Sequence, residues 1–148
     1  MIDVNTFIGI YNAKVKGSKD LSDDDKVEIV RSIIHTKKYI SYEKKQNLIK
    51  EVINEVVYDS DDDIIHYLSA YKYYYFIMML IDEYTDLSID DRSFDLLSMS
   101  GVIDYVIASF QREYDICANL LDMYMQDLET HRINREGLII WQRVSTNN

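Results

Sequence analysis

Apolar residues recur every three or four positions along most of the chain, which is the spacing of one face of an α-helix. The first apolar stripe consists of Phe7, Ile10, Tyr11 and Val15. Asp3 or Asn5 can cap this helix, and Gly17 can end it. The pattern therefore predicts a first helix that ends near Gly17.

Two further helices are indicated before residue 60. Ser22 precedes three aspartates, so a capping residue is followed by acids where a helix end is positive. The stripe of this second helix consists of Val27, Val30, Ile33 and Ile34. A third helix is predicted after Ser41, and residues 58–61 are expected to end it. Its inward face consists of Tyr42, Lys45, Ile49, Val52, Ile53 and Val56.

The most apolar segment of the chain covers residues 64–81. A fourth helix is predicted from the aspartates at 61–63 to about Tyr84, and because it is apolar all round we expect other helices to surround it. Its length approaches the roughly 17–25 residues that cross a bilayer. His66, Lys72 and five tyrosines dilute it, however, so a buried helix of a soluble domain is the favoured interpretation.

The second half of the chain continues the helical pattern. Ser88 or Asp90 can start a fifth helix, which Ser100 and Gly101 break, and a sixth covers residues 102–110. A seventh is predicted at residues 113–129. From Asn134 onward the chain carries a dense apolar group, which we expect either to dock on the body or to meet a partner. This group consists of Leu138, Ile139, Ile140 and Trp141.

Composition supports a helical protein. The 148 residues include no proline and only four glycines, so the turns that hairpins need are scarce. An apolar fraction of 47% is too high for a disordered chain, and the length suits one domain. The sequence therefore predicts an all-α single domain over residues 1–148. We expect a compact bundle of about seven or eight helices around the helix at 64–84, with residues 134–148 as a C-terminal docking segment.

No motif in the chain fixes a catalytic or metal site. An EF-hand loop starting at Asp59 would need glycine at its sixth position and glutamate at its twelfth, but those residues are Ile64 and Ala70. Cys117 has no companion cysteine, and the three histidines lack the Glu-x-x-His spacing of helical carboxylate–metal sites. We therefore predict no enzymatic activity, no metal and no cofactor, with a carboxylate–metal enzyme as the less favoured alternative.

Charge is divided unevenly along the chain. Residues 1–50 hold ten basic and seven acidic side chains, whereas residues 51–148 hold six basic and nineteen acidic ones. The net charge of −10 argues against duplex nucleic acid or an anionic membrane as the partner. The simplest interpretation is solubility together with helix-end charges. The sharper one is that the basic face of one copy meets the acidic face of another, a contact that can build rings or filaments.

Two sets of residues carry this charge hypothesis. The basic surface is predicted to consist of Lys37, Lys38, Lys44, Lys45 and Lys50. The acidic surface is predicted to consist of Asp59, Asp61, Asp62, Asp63, Asp82, Glu83, Asp86, Asp90 and Asp91. The apolar group at 138–141 is a third candidate contact.

A Ser-Gly-Val-Ile-Asp element lies at 100–104, and the pair Glu113–Tyr114 follows it. Through these elements, residues 94–132 resemble a group of small helical proteins encoded by tailed bacteriophages of low-GC bacteria. A proline that commonly precedes this pair in the group is absent here, where Gln111 and Arg112 stand. Shorter stretches around residues 7–17, 39–53 and 80–90 extend the likeness over most of the chain.

The resemblance implies a role among the virion-building genes and supplies no catalytic residue. We expect a non-enzymatic structural or assembly protein of the head–tail or tail module. Its partners would be other virion proteins and further copies of itself, in the host cytoplasm during assembly and in the virion. The alternative is an acidic anti-defence or regulatory protein that imitates nucleic acid and binds a basic groove of a host protein.

Overall fold

A computed structural model describes residues 1–59, 65–67 and 69–146, and the side chains of residues 1–55 and 72–130. Seven α-helices occupy most of these residues, which confirms the predicted all-α class. In chain order the elements are β1 (Ile2–Asp3), α1 (Val4–Lys16), α2 (Asp23–Ile33), α3 (Tyr42–Val56), β2 (Val57–Asp59), β3 (Ile65–Tyr67), α4 (Ser69–Tyr84), β4 (Leu87–Ser88), α5 (Asp91–Ser100), α6 (Ile103–Ala108) and α7 (Gln111–Thr146).

The predicted caps of the first two helices are present. The Asp3 carboxylate accepts the Thr6 N–H at 3.2 Å, and Gly17 follows the last residue of α1. At the start of α2, Ser22 and Asp25 each accept the other's backbone N–H at 3.1 Å. This reciprocal arrangement satisfies two N–H groups that a helix end leaves unpaired.

Both ends of α5 also form as predicted. Asp90 accepts the Ser93 N–H at 2.8 Å, and the Ser93 hydroxyl accepts the Asp90 N–H at 2.6 Å. Gly101 ends α5 with a φ of 75°, a left-handed conformation that glycine adopts without a steric penalty. A short local sequence therefore fixes where α5 starts and where it stops.

One hydrophobic core joins the helices, and one face of α4 lies within it. Phe76, Leu80, Ile81 and Tyr84 of α4 are buried, whereas Tyr73 is 62% exposed and Asp82 is exposed, so other helices do not surround α4 on every side. Among the described residues, no helix combines the length and the apolarity needed to cross a bilayer. Other buried members of the core are Val4, Phe7, Tyr11, Val30, Ile34, Ile49, Val52, Leu97, Val102, Val106, Phe110 and Leu121.

The central helix is shorter than predicted. It begins at Ser69 rather than at the aspartates of 61–63, because Ile65–Tyr67 form β3. This strand pairs antiparallel with β2, so that Val57 lies opposite Tyr67. A short apolar run satisfies a strand as readily as a buried helix, and only the presence of a partner strand decides between them.

The C-terminal helix is longer than predicted. The sequence indicated a helix at 113–129 and a separate segment from Asn134, whereas α7 is one helix of 36 residues from Gln111 to Thr146. A glycine inside a helix costs only about 1 kcal/mol. Continuing a helix adds one hydrogen bond for each residue that it orders. Gly137 is therefore a weak breaker, and the helix runs past it.

Two short pairings tie distant parts of the chain together. β1 and β4 form a parallel pair, with Ile2 opposite Leu87, and the Ile2 N–H donates to the Asp86 carbonyl at 2.7 Å. In the connection after α2, the Lys37 N–H donates to the Tyr84 carbonyl at 2.7 Å. The end of α4 therefore holds both the first residues of the chain and the segment that leads into α3.

Two residues of the predicted inward faces lie on the surface instead. Ile10 is 40% exposed and Tyr42 is 56% exposed. Val4, Phe7 and Tyr11 supply the buried face of α1, and Ile10 lies beside that face. Tyr42 is the first residue of α3 and lies at the edge of the bundle, beyond the reach of the core.

Candidate functional site

The predicted basic surface is only partly formed. Lys37, Lys38, Lys44 and Lys50 are exposed. Lys45 is 2% exposed, so the prediction that it belongs to a contact surface is wrong. The reason is its position on α3, where it shares a helix face with the buried Ile49.

The buried Lys45 ammonium is held by a carboxylate from α7. Its Nζ lies 2.9 Å from Glu113 Oε1 and donates to the Ile40 carbonyl at 2.9 Å. The Tyr39 ring lies 4.1 Å from the same nitrogen, at a distance that allows a cation–π contact. Lysine is almost never fully buried without such a partner. We call this arrangement, together with Tyr84 and Cys117, the Lys45–Glu113 cluster.

Glu113 Oε1 is the centre of the Lys45–Glu113 cluster. Besides Lys45, it accepts the Ile40 N–H at 3.0 Å and the Tyr84 hydroxyl at 3.2 Å. Burial raises the pKa of Glu113, but the Lys45 ammonium and these hydrogen bonds outweigh burial, so the pKa lies below its usual value. The carboxylate is therefore ionised and joins the starts of α3 and α7 to the end of α4.

Cys117 closes the inner end of the Lys45–Glu113 cluster. Its Sγ lies 3.7 Å from the Tyr84 hydroxyl, and its side chain is fully buried, as the sequence predicted for a core cysteine. Burial raises the pKa of the Cys117 thiol, and the Tyr84 hydrogen bond and the Lys45 charge offset only part of this. A thiol in this state is a poor nucleophile, and the Lys45–Glu113 cluster has the properties of a structural anchor.

Most of the predicted acidic residues whose side chains are described bind other parts of the fold. Asp86 accepts the His35 N–H at 3.0 Å, and Asp91 accepts a hydrogen bond from the Tyr74 hydroxyl. Asp90 is the cap of α5 described above. Asp82 is exposed, whereas Glu83 is half-buried and forms an ion pair with Lys37 at 3.4 Å. Four of these five acids therefore have a partner within the fold, and Asp82 is the exposed exception among them.

Several candidate contact residues lie outside the described side chains. They are Asp59, Asp61, Asp62, Asp63, Leu138, Ile139, Ile140 and Trp141. The histidines at 66 and 131 lie there too, while His35 is exposed. For the residues at 138–141 the backbone is part of α7.

A groove with acidic walls runs between α3 and α4. It consists of two adjoining hollows of about 230 and 400 Å³, which share Glu51 and Met79. Glu55, Asp82 and Glu83 add three more carboxylates, against the single cation Lys44. Apolar side chains, among them Leu48, Met78 and Met79, make up much of the lining. We call this surface the acidic groove.

A second groove, next to the start of α7, is basic. Its two hollows of about 290 and 320 Å³ share Arg31, Lys38 and Ser109, and Lys37 and Arg112 also line it. The Arg31 guanidinium lies 2.5 Å from Glu28 and donates to the Ser109 carbonyl at 3.3 Å. The cations come from α2, from the connection after it and from α7. We call this surface the basic groove.

The two grooves adjoin each other. Lys37 lines the basic groove and Glu83 lines the acidic groove, and these two side chains form the ion pair at 3.4 Å. Lys44, which the sequence assigned to the basic surface, lies instead in the acidic groove. The fold therefore brings some lysines of the basic half next to carboxylates of the acidic half.

The described part of the chain holds no group of three or more His, Cys, Asp or Glu side chains placed to bind a metal ion. Comparisons of the chain with protein-family models, with curated proteins and with solved structures find no match. Its functional interpretation therefore depends on its own surfaces, and the acidic and basic grooves are the candidate functional site.

Proposed function

We propose that the chain is a non-enzymatic structural or assembly protein of a tailed bacteriophage, in the head–tail or tail module. In this proposal it acts through contacts with other copies of itself and with virion proteins, in the host cytoplasm during assembly and in the virion. The observation that carries the proposal is the pair of adjoining grooves of opposite charge. The sequence resemblance described above supports the phage context.

Surfaces of opposite charge on one chain allow a head-to-tail contact. Each copy can offer one surface to the copy before it and the other surface to the copy after it, so the contact repeats until a ring closes or a filament grows. Charge complementarity also steers the encounter and disfavours wrong registers. A chain of this kind can be added to a growing assembly without any chemical step.

The proposal is tested on purified phage particles that carry this gene. We expect mass spectrometry of washed particles to find the protein at a constant copy number in every preparation. A non-structural phage protein expressed at a similar level serves as the control and should wash away. Absence of the chain from washed particles would contradict the proposal, and a strictly monomeric purified protein would contradict its self-association.

A second candidate function is the acidic nucleic-acid mimic. It is favoured by Glu51, Glu55 and Asp82, which form no ion pair among the described side chains. A pull-down from host lysate separates the two candidates. A stoichiometric nuclease or polymerase partner supports the mimic, and a virion protein supports the assembly role.

A further inference from the structure

We infer that the acidic groove binds the C-terminal segment of a second copy, residues 131–146. This inference rests on the proposed assembly function and names the contact through which copies would join. It is argued from the lining of the acidic groove, from the sequence of the segment and from the length of α7.

The acidic groove offers both negative charge and an apolar floor. Its carboxylates Glu51 and Asp82 are exposed and form no ion pair among the described side chains. Met79 and the buried Leu48 line the same hollow. Methionine is flexible and polarisable, so it adapts to the shape of an inserted apolar side chain. A groove of this composition suits a basic amphipathic helix.

Residues 131–146 have the complementary composition. The segment holds three arginines and one glutamate in an otherwise acidic half of the chain. Its backbone is helical. Six of its residues are apolar: Ile133, Leu138, Ile139, Ile140, Trp141 and Val144. The segment thus combines a net positive charge with apolar side chains.

Because α7 is long, its C-terminal segment cannot reach the acidic groove of the same chain. Glu113 is fixed beside Lys45, and Glu51 lies about 9 Å from Lys45 along α3 at 1.5 Å per residue. Ile140, near the middle of the segment, lies about 40 Å from Glu113 along α7 by the same rise. Neighbouring helix axes are only about 8–10 Å apart. The segment therefore reaches an acidic groove only on another copy.

The contact is tested by charge reversal in the full-length protein. We expect sedimentation velocity to show concentration-dependent association of the wild type. E51R/D82R should weaken this association by about tenfold or more, and R135E/R143E should weaken it similarly, because each places like charges opposite one another. The matched control D95R/D122R changes the net charge by the same amount at exposed sites of α5 and α7 and should associate as the wild type does.

Mixing the two variants gives the decisive result. E51R/D82R keeps an intact segment and R135E/R143E keeps an intact acidic groove, and the reversed groove of the first variant also has the opposite charge to the reversed segment of the second. An equimolar mixture should therefore associate, although each variant alone associates weakly. Trp141 is the only tryptophan and provides a second measurement. Its emission should move to longer wavelength when the wild type is diluted, and it should be insensitive to dilution in E51R/D82R. Circular dichroism checks that every variant is folded.

Three outcomes would overturn the inference: a wild type that stays monomeric at all concentrations, an E51R/D82R variant that associates like the wild type, or a mixture that contains only monomers. If E51R/D82R still self-associates, the copies join through another surface, and the proposed assembly function is retained. Absence from washed particles removes the assembly function whatever the acidic groove does. The two proposals therefore fail separately.

Discussion

At the scale of single residues, the Lys45–Glu113 cluster combines a large desolvation cost with nearly complete pairing. Both side chains are almost fully buried, and Glu113 Oε1 accepts three hydrogen bonds. Removing two charges from water costs several kcal/mol per ion, so such a pair adds little net stability. Removing one partner is different, because the other charge stays buried without compensation.

We predict that Glu113→Gln lowers the free energy of unfolding by about 3 kcal/mol. The amide oxygen can still accept from Ile40 and Tyr84, but the Lys45 ammonium loses its counter-charge. Urea denaturation measures the loss, and Glu28→Gln, which breaks an exposed ion pair with Arg31, should cost no more than about 1 kcal/mol. Adding Lys45→Met to Glu113→Gln should recover part of the loss. Equal effects of the two single glutamine variants would contradict this account.

The same carboxylate predicts a pH dependence. Its pKa in the folded protein lies below the usual value of about 4.3, so ionised Glu113 stabilises the fold above that pH. This contribution is lost as the pH falls through the folded pKa. The difference in unfolding free energy between the wild type and Glu113→Gln should therefore shrink from pH 5 to pH 3. A difference that stays constant over this range would show that the charge of Glu113 is not responsible.

Of the two charged residues in the Lys45–Glu113 cluster, the sequence pattern indicates only Lys45. Lys45 interrupts the apolar face of α3, and a charge at such a position indicates burial with a partner. The partner, Glu113, lies 68 residues later, and no local pattern marks it out. Only the packing of α3 against α7 brings the two together.

At the scale of elements, Gly101 and Gly9 differ in backbone conformation, and this difference decides what a side chain would do at each site. Gly101 ends α5 in the left-handed region, where a side chain meets steric strain even though a Cβ would have open space around it. Gly9 lies on the exposed side of α1, and a Cβ there would also meet nothing within 4 Å. Backbone conformation alone separates the two sites.

We predict that Gly101→Ala lowers the free energy of unfolding by about 1 kcal/mol and that Gly9→Ala raises it by about 0.5–1 kcal/mol. The first change forces an L-residue into a positive φ, and the second reduces the freedom of the unfolded chain at a helical position. Thermal melts of the two variants measured side by side provide the comparison. Stabilisation by both alanines would contradict the left-handed assignment at Gly101.

Elements whose ends depend on neighbouring residues could be predicted well. The caps at Asp3, Ser22 and Asp90 and the break at Gly101 all follow from side chains within four residues. The β2–β3 pair could not be predicted, because an apolar run such as Ile65–Tyr67 fits a helix and a strand equally. The extension of α7 through the predicted C-terminal segment shows the same limit, since no residue between 129 and 134 decides whether the helix stops or continues.

At the scale of the whole molecule, Asp86 connects three distant segments. Its carbonyl accepts the Ile2 N–H at the start of the chain, and its carboxylate accepts the His35 N–H after α2. Asp86 itself follows α4 and immediately precedes β4. Asp86 thus holds β1 and the α2–α3 connection at the end of α4.

We predict that Asp86→Ala lowers the free energy of unfolding by about 1.5 kcal/mol, because the His35 N–H loses a charged acceptor while the backbone bond to Ile2 is kept. Asp86→Asn keeps an acceptor oxygen and should cost less. Hydrogen exchange should locate the change at the amide of His35. Faster exchange at Ile2 alone would show that the carboxylate does not hold this connection.

The charge division along the sequence is only partly preserved in space. Lys37 pairs with Glu83, and Lys44 lies among carboxylates, although the two lysines belong to the basic half of the chain. Arg31 belongs to the basic half of the chain and Arg112 to the acidic half, and both line the basic groove. A linear charge count therefore indicates that surfaces of opposite sign exist, but the packing of α2, α3, α4 and α7 decides where they lie.

The parallel pairing of Ile2 with Leu87 also has a consequence for synthesis of the chain. Ribosomes add about 5–20 residues per second, so the second strand follows the first by roughly 4 to 17 seconds. During this interval α1 and α2, which are close in sequence, can already associate on the nascent chain, whereas β1 has no strand to join. β1 therefore reaches its final position only after β4 has been synthesised.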